Sequence, residues 1–281
     1  MAVRLGGPLF NQSSDDPAEL ARAHRKLGYR AAFCPGVALE DKQRIAAIEK
    51  AFKAEDVVIS EVGAWVNMMD VDEAKRKQNM EAVCRGLALA DEVGALCCVD
   101  ISGSLNPERW DGPHPDNISQ KAFDLTVENI RYILNSVKPS RARFVLEMMP
   151  WVIPDSPDSF LELIRAVDRK EFGVHLDPVN LINSPRRYYE NGELLKECFD
   201  KLGKWIVSCH AKDTILSSQL TTHLSEARPG TGNLDYRTYL KRLDALPQNA
   251  PLLIEHLSTA EEYDKARDYI FSVGREIGIS F

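Results

Sequence analysis

The sequence predicts an α/β fold of the (β/α)8 barrel class, the TIM barrel, as a single domain over residues 1–281. Three observations predict it. Short apolar runs alternate strictly with longer amphipathic stretches along all 281 residues, the order of parallel strands joined by helical crossovers. Eight of each can be counted, and an open doubly wound sheet, which can use the same order, rarely needs eight regular repeats. The length lies within the range of one such barrel, and no low-complexity linker interrupts it.

The elements follow in order. Ala-Val-Arg-Leu at 2–5 opens the first strand, and the charged and apolar stretch 17–27 is its helix. Ala-Ala-Phe-Cys at 31–34 precedes helix 41–54, and Val-Val-Ile-Ser at 57–60 precedes helix 72–93. The apolar run 95–101 is the fourth strand and 119–137 its helix. Arg-Phe-Val-Leu-Glu-Met-Met at 143–149 leads to helix 157–167, and Phe-Gly-Val-His-Leu-Asp at 172–177 to helix 187–202. Trp-Ile-Val-Ser-Cys-His at 205–210 and Leu-Leu-Ile-Glu-His at 252–256 complete the strands, with helices 234–246 and 260–277. Two long loops, 102–117 and 212–233, follow strands and precede helices, which puts them on the face where barrel enzymes carry their active sites.

Composition narrows the class. A formal charge of −7 argues against a nucleic-acid groove, which needs clustered cations. No apolar run reaches the length of a signal peptide or a spanning helix, so a cytoplasmic protein without membrane contact is expected. Six cysteines lie mostly in strands and helices and lack a C-x-x-C spacing. They read as buried free thiols rather than as disulfides or a zinc site. Cys97 and Cys98 are adjacent in one strand and are expected on opposite faces of it.

The informative residues are polar groups at the ends of apolar strands. Glu147 follows Phe-Val-Leu, Asp177 ends Gly-Val-His-Leu-Asp, His210 ends Ile-Val-Ser-Cys-His, and Glu255 ends Leu-Leu-Ile-Glu. An ionised carboxylate buried in a strand is costly unless it is paired or binds a metal. Any one of these could be a capping or salt-bridged residue, but all four end strands five to eight. Three carboxylates and an imidazole suit one divalent ion, Mn²⁺ first and Mg²⁺, Co²⁺ or Zn²⁺ behind it.

At these residues the chain resembles the xylose isomerase-like TIM-barrel superfamily, in its sugar phosphate isomerase/epimerase branch. The resemblance covers nearly the whole chain. It rests on Leu-Glu-Met-Met-Pro around Glu147, Leu-Asp-Pro-Val-Asn around Asp177, Cys-His-Ala-Lys-Asp around His210, the run from Pro229 to Asp235, and Leu-Ile-Glu-His around Glu255. It implies one metal held by Glu147, Asp177, His210 and Glu255. In the family's ketose 3-epimerases the two glutamates also exchange the proton on opposite faces of the sugar carbon. Three departures stand out. Ile153 occupies the place of a second Glu, Asn180 that of a His, and Lys212-Asp213 stands near where an Arg is expected. The family's DNA-repair endonucleases need further histidines, and Phe33-Cys34 and Ser60-Glu61 stand on the second and third strands instead.

The expected activity is that of a metal-dependent isomerase or epimerase of a sugar or keto-sugar derivative. A proton leaves carbon beside a carbonyl, and a divalent ion stabilises the enediolate. Glu147 and Glu255 share the roles of base and acid. A lyase or dehydratase, inosose dehydratase-like or keto-glycoside-cleaving, would use the same first half-reaction. A non-enzymatic sugar-binding subunit would not need three converging carboxylates. His175, two residues before Asp177, faces inward by strand parity and is either an acid/base or a core histidine satisfied by a neighbouring hydroxyl or carboxylate. Lys212 is expected to hold a substrate oxygen or phosphate, or to pair with Asp213 or a neighbouring acid. His256 is expected to face the helices. Trp65 is a candidate to stack on a sugar ring, and Trp110, His114 and Arg228 are loop candidates to close over it. Gly230-Thr231-Gly232 reads as a turn ahead of the next helix, with a phosphate cradle as the alternative, and Asp235 as its cap or first-turn acid. The partner is a small carbohydrate, and a homo-oligomer is compatible with the sequence.

Overall fold

The computed structural model describes residues 2–281, and its centre is a closed barrel of eight parallel strands. They are β1 (Leu5–Gly6), β2 (Ala31–Phe33), β3 (Val58–Gly63), β4 (Cys97–Asp100), β5 (Arg143–Glu147), β6 (Phe172–Leu176), β7 (Ile206–Ala211) and β10 (Leu252–Ile254). Each pairs with its neighbours in chain order, and β10 closes on β1 through Leu5–Leu252 and Gly6–Leu253. Parallel pairing throughout sends every C-terminal strand end to one mouth. The predicted strand positions hold; the boundaries move by a few residues. Glu255 and His256 lie just beyond β10 rather than inside it.

Helices α1 (Pro17–Lys26), α2 (Lys42–Ala54), α3 (Glu73–Val93), α4 (Gln120–Val137), α5 (Pro157–Val167), α7 (Asn191–Leu202), α8 (Tyr236–Asp244) and α9 (Ala260–Glu276) lie on the crossovers and after the last strand. Their starts are set by side chains that accept otherwise unpaired backbone N–H groups. Asp16, Asp72, Ser119, Asp235 and Thr259 each do this. The predicted helix 187–202 is two helices, α6 (Pro185–Tyr189) and α7. The break has a local cause: the Asn191 amide donates to the Tyr188 carbonyl (2.7 Å), the acceptor that a continuous helix would offer to the N–H of Gly192.

The core has two compartments. Inside the barrel Cys97, Val99, Val145 and Val207 form one cluster, while Cys98 belongs to the larger layer between strands and helices. The two adjacent cysteines therefore face opposite ways, and all six thiols are free.

The loop 212–233 is not irregular. It contains an antiparallel hairpin, β8 (Asp213–Ser217) with β9 (His223–Ala227), in register from Asp213–Ala227 to Ser217–His223. The Gly230-Thr231-Gly232 turn beyond it is filled from within. Asp213 Oδ2 accepts from the N–H groups of Gly230 and Gly232 (3.0 Å each), and Oδ1 from Leu234 (2.9 Å). A side chain at Gly232 would strike the Thr214 carbonyl. Those backbone donors are spent on Asp213, which leaves no phosphate cradle. No helix among the described residues is long and apolar enough to cross a membrane.

Candidate metal and active site

Glu147 ends β5, Asp177 follows β6, His210 lies on β7 and Glu255 follows β10. Because these strands run parallel, the four side chains meet at the barrel mouth, with one donor atom from each within 4.8 Å of the others. His210 Nδ1 lies 2.8 Å from Glu255 Oε1 and 3.6 Å from Glu147 Oε2. Asp177 Oδ1 is fixed by the N–H of Val179 (3.0 Å), which turns Oδ2 inward. Asp177 Oδ2, His210 Nδ1 and Glu255 Oε1 are buried, with Lys212 Nζ 2.8 Å from the first and 2.7 Å from the last. Three carboxylates and an imidazole that converge on one point are a donor set that fits a divalent cation. The cluster can hold a metal ion.

Helix α8 braces this end of β7. Tyr239 donates to the His210 carbonyl (2.9 Å) and Tyr236 to that of Lys212 (2.7 Å). Asn180 donates to Glu147 Oε1 (2.8 Å) and to the Met148 carbonyl (3.0 Å). The residue that departs from the 3-epimerase pattern thus orients the first carboxylate.

Lys212 reaches into the same cluster. Its Nζ is 2.8 Å from Asp177 Oδ2, 2.7 Å from Glu255 Oε1, 3.0 Å from Glu226 Oε1 and 3.9 Å from Glu147 Oε1. It pairs with neighbouring acids rather than with Asp213. The groups of the cluster shift one another's ionisation. Burial pushes the Glu147 carboxyl up to about 7 against the pull of His210 and Lys212. Burial also acts upward on Glu255, but His210 and Lys212 together outweigh it and hold that carboxyl well below the usual range. Burial acts downward on His210, and the carboxylates of Glu255, Glu147 and Glu61 outweigh it, leaving the imidazole pKa raised.

The sequence pointed past Glu61. This β3 carboxylate is 1% exposed, with Oε1 3.4 Å from His210 Nε2 and Oε2 3.5 Å from His175 Nδ1. An acceptor beside Nε2 favours the proton there and leaves the Nδ1 lone pair facing the cluster. Its signal was present: Glu61 sits in an apolar strand just as Glu147 does.

His175 is corrected. Its ring is fully buried, its Nδ1 is 2.5 Å from Ser208 Oγ, and its centroid lies 3.9 Å from that of His210, edge-on. It does not line the cavity at the mouth; Nδ1 meets the Ser208 hydroxyl, whereas Nε2 is buried without a hydrogen-bond partner, so the ring is not placed to act as acid or base on a ligand in that cavity. Two loop candidates are also corrected. Arg228 donates to Glu262 of α9 (2.8 Å) and to the Pro229 carbonyl. His114 caps a short 3-10 helix, Pro115–Ile118, accepting from the Asp116 N–H (3.3 Å). Neither lines the cavity, because each spends its polar atoms on local backbone or on a helix.

The cavity above the cluster holds about 700 Å³ and is lined by Glu147, Glu255, Lys212 and Asn180 at its floor. Trp65, Trp110 and Trp151 form part of its walls. Trp65 has a left-handed backbone (φ 48°), and its ring centroid is 6.5 Å from that of His210. A Cβ at residue 63 would overlap the Trp65 indole, so Gly63 lets the ring fold over the end of β3. His256, expected to face the helices, also lines the cavity; its Nδ1 is 2.9 Å from Glu226 Oε2. The backbone at His256 is left-handed (φ 57°), which breaks the strand parity on which that expectation rested. Glu226 on β9 carried no sequence signal, since its place at the mouth depends on the hairpin.

Comparison with known proteins agrees with this architecture. A family model described as xylose isomerase-like TIM barrel matches residues 21–273. The uncharacterized protein MJ1311 of Methanocaldococcus jannaschii is 22% identical over 206 residues, 72% of this chain and 64% of its own length. The chain thus spans under two thirds of that relative. A xylose isomerase-like TIM barrel protein from Mycobacterium smegmatis, solved in complex with magnesium, superposes with a TM-score of 0.68 at 20% identity over 98% of this chain and 97% of the other. The 3-keto-D-glucoside 4-epimerase YcjR of E. coli superposes with a TM-score of 0.68 at 14% identity over 97% and 99%.

Proposed function

The chain belongs to the xylose isomerase-like TIM barrel family, and from that premise we propose that it is a divalent-metal-dependent isomerase or epimerase of a sugar or keto-sugar derivative. The observation that carries this reading is the convergence of Glu147, Asp177, His210 and Glu255 on one point beneath an open cavity. Two structural neighbours support it, one solved as a magnesium complex and the other a 3-keto-D-glucoside 4-epimerase. A divalent ion held by Glu147, Asp177, His210 and Glu255 would polarise a carbonyl and acidify the adjacent C–H bond. Mn²⁺ suits the donor set best, with Mg²⁺ next.

The chain's own groups supply the proton chemistry. Glu147, oriented by Asn180, and Glu255 both line the cavity floor, so one carboxylate can take the proton and the other return it. The departures at Ile153 and Asn180 favour a second reading in which the same first step ends in elimination, that of a lyase.

The test is proton NMR in D₂O with a panel of keto-sugars, alongside calorimetric Mn²⁺ binding. About one Mn²⁺ per chain is expected, with deuterium entering at one sugar carbon. Glu147→Gln and Glu255→Gln should each lower turnover by roughly a hundredfold or more. A product lighter by water or by an aglycone would favour the lyase. Full activity in Glu147→Gln, or no gain in thermal stability with Mn²⁺, would overturn the assignment.

A further inference from the structure

Three of the chain's four tryptophans line one cavity. Trp65 is 40% exposed, Trp110 40% and Trp151 37%. Scattered part-exposed aromatic residues are ordinary, but three part-exposed indoles gathered around one opening mark a surface suited to be covered by something else. They are not equivalent. Trp65 stands at the inner end beside His210. Trp110 and Trp151 come from the segments after β4 and β5, at the rim.

The rim is held in place before any ligand arrives. Trp151 Nε1 donates to the Asp111 carbonyl (2.7 Å), tying the two segments together. The Asn67 amide donates to the Ser104 carbonyl (2.8 Å) and its oxygen accepts from the Ser104 N–H (2.9 Å), so the Trp110 loop is anchored to the barrel. Such ordering lowers the entropic cost of binding.

The charges argue against an anionic ligand. Asp111, Glu147, Glu226 and Glu255 line the cavity against Arg109 and Lys212. Arg109 is engaged by Asp111 (2.7 and 3.3 Å), and Lys212 by its ring of carboxylates. His256 is engaged by Glu226. Every cationic side chain at the wall already faces a carboxylate, so a phosphate at the rim, away from the metal ligands at the floor, would meet no free partner. The space exceeds what one sugar ring at the floor requires and falls in the range of larger two-part ligands.

We propose that Trp110 and Trp151 form an aromatic subsite for the second ring of a neutral glycoside, whose first ring lies over the carboxylate cluster beside Trp65. This rests on the sugar-enzyme reading above and adds to it a substrate class: glycosides bearing a ring aglycone, not sugar phosphates. The ring presents an apolar face, whether it is aromatic or a second pyranose.

The test is calorimetric titration of the full-length, Mn²⁺-saturated protein. The probes are the free, methyl, phenyl and 6-phosphate forms of glucose, galactose and mannose, together with cellobiose. The expected result is at least one phenyl glycoside, or cellobiose, binding about tenfold tighter than the matching methyl glycoside, a difference of about 1.4 kcal/mol. A gain with the phenyl glycosides alone identifies an aromatic aglycone, and a gain with cellobiose a second sugar. Trp110→Ala should remove most of this gain while Mn²⁺ and methyl glycoside affinities stay within about twofold. Trp151→Phe, which keeps a ring without the N–H, should keep much of it. Methyl glycosides that bind with no gain from the second ring would overturn the subsite alone. Tighter binding of a 6-phosphate than of its free sugar, or a gain that survives Trp110→Ala, would also overturn it. Failure of every sugar to bind a protein that does bind Mn²⁺ would overturn the subsite and the sugar reading together.

Discussion

Replacing Glu61 with Gln tests how the barrel interior prepares His210. The side chain is buried beneath the mouth, with its two oxygens 3.4 Å from His210 Nε2 and 3.5 Å from His175 Nδ1. A carboxylate there can only accept, so it keeps the His210 proton on Nε2 and leaves Nδ1 free to face Glu147 and Glu255. Glutamine has nearly the same shape but no charge, and its amide can present either an acceptor or a donor to that ring. Loss of such an outer partner lowers metal affinity by roughly 10- to 100-fold, or about 1.4 to 2.7 kcal/mol. Calorimetry with Mn²⁺ on both proteins reads that change, and ¹⁵N spectra of histidine-labelled protein read the His210 tautomer directly. The metal-free variant should melt somewhat below the wild type, because the exchange leaves no cavity but removes one of the carboxylates that favour a charged His210. Mn²⁺ affinity within about twofold of wild type, with His210 still protonated on Nε2, would refute the positioning role. A large loss of stability with the tautomer unchanged would make Glu61 a packing residue instead.

Two further predictions concern stability. Lys212→Met should destabilise the metal-free protein by about 3 to 5 kcal/mol, since it strips the cation from a buried ion-pair cluster that includes Asp177 and Glu255. Urea unfolding with and without saturating Mn²⁺ reads it; the loss should shrink with metal, and equal losses would count against the cluster as a cation site. His24 is buried against Tyr29 and Phe52, and burial lowers its pKa to about 4. Its ordinary value is about 6.5, so the fold favours the neutral ring. The stability this contributes is complete above pH ~6.5 and lost as pH falls through ~4, about 3 kcal/mol by linkage. His24→Leu should lose less stability than wild type between pH 7 and pH 4 in urea unfolding, and parallel curves would sink the assignment.

The barrel was legible because its signals are local: an apolar run is a strand whatever surrounds it, and a carboxylate inside such a run is costly at once. That logic singled out Glu147, Asp177, His210 and Glu255, which the fold brings together, and applied evenly it would have singled out Glu61 in Ile-Ser-Glu-Val. What it could not read depends on partners far along the chain. Glu226 matters because a hairpin folds it back to Lys212 and His256. Arg228 and His114 resembled substrate-closing residues until Glu262 and the Asp116 N–H took them up. Lys212 joins both kinds of residue. Its inward direction followed from being two residues after His210, but its task follows from how many acids the fold gathers there. Asp177, Glu147, Glu226 and Glu255 come from four separate stretches of chain and crowd within 4 Å of one ammonium group. A low-dielectric pocket with that many carboxylates is stable only with positive charge among them. The lysine supplies one unit of it, the His210 imidazolium another, and a neutral His210 would leave the deficit that a divalent ion is suited to fill.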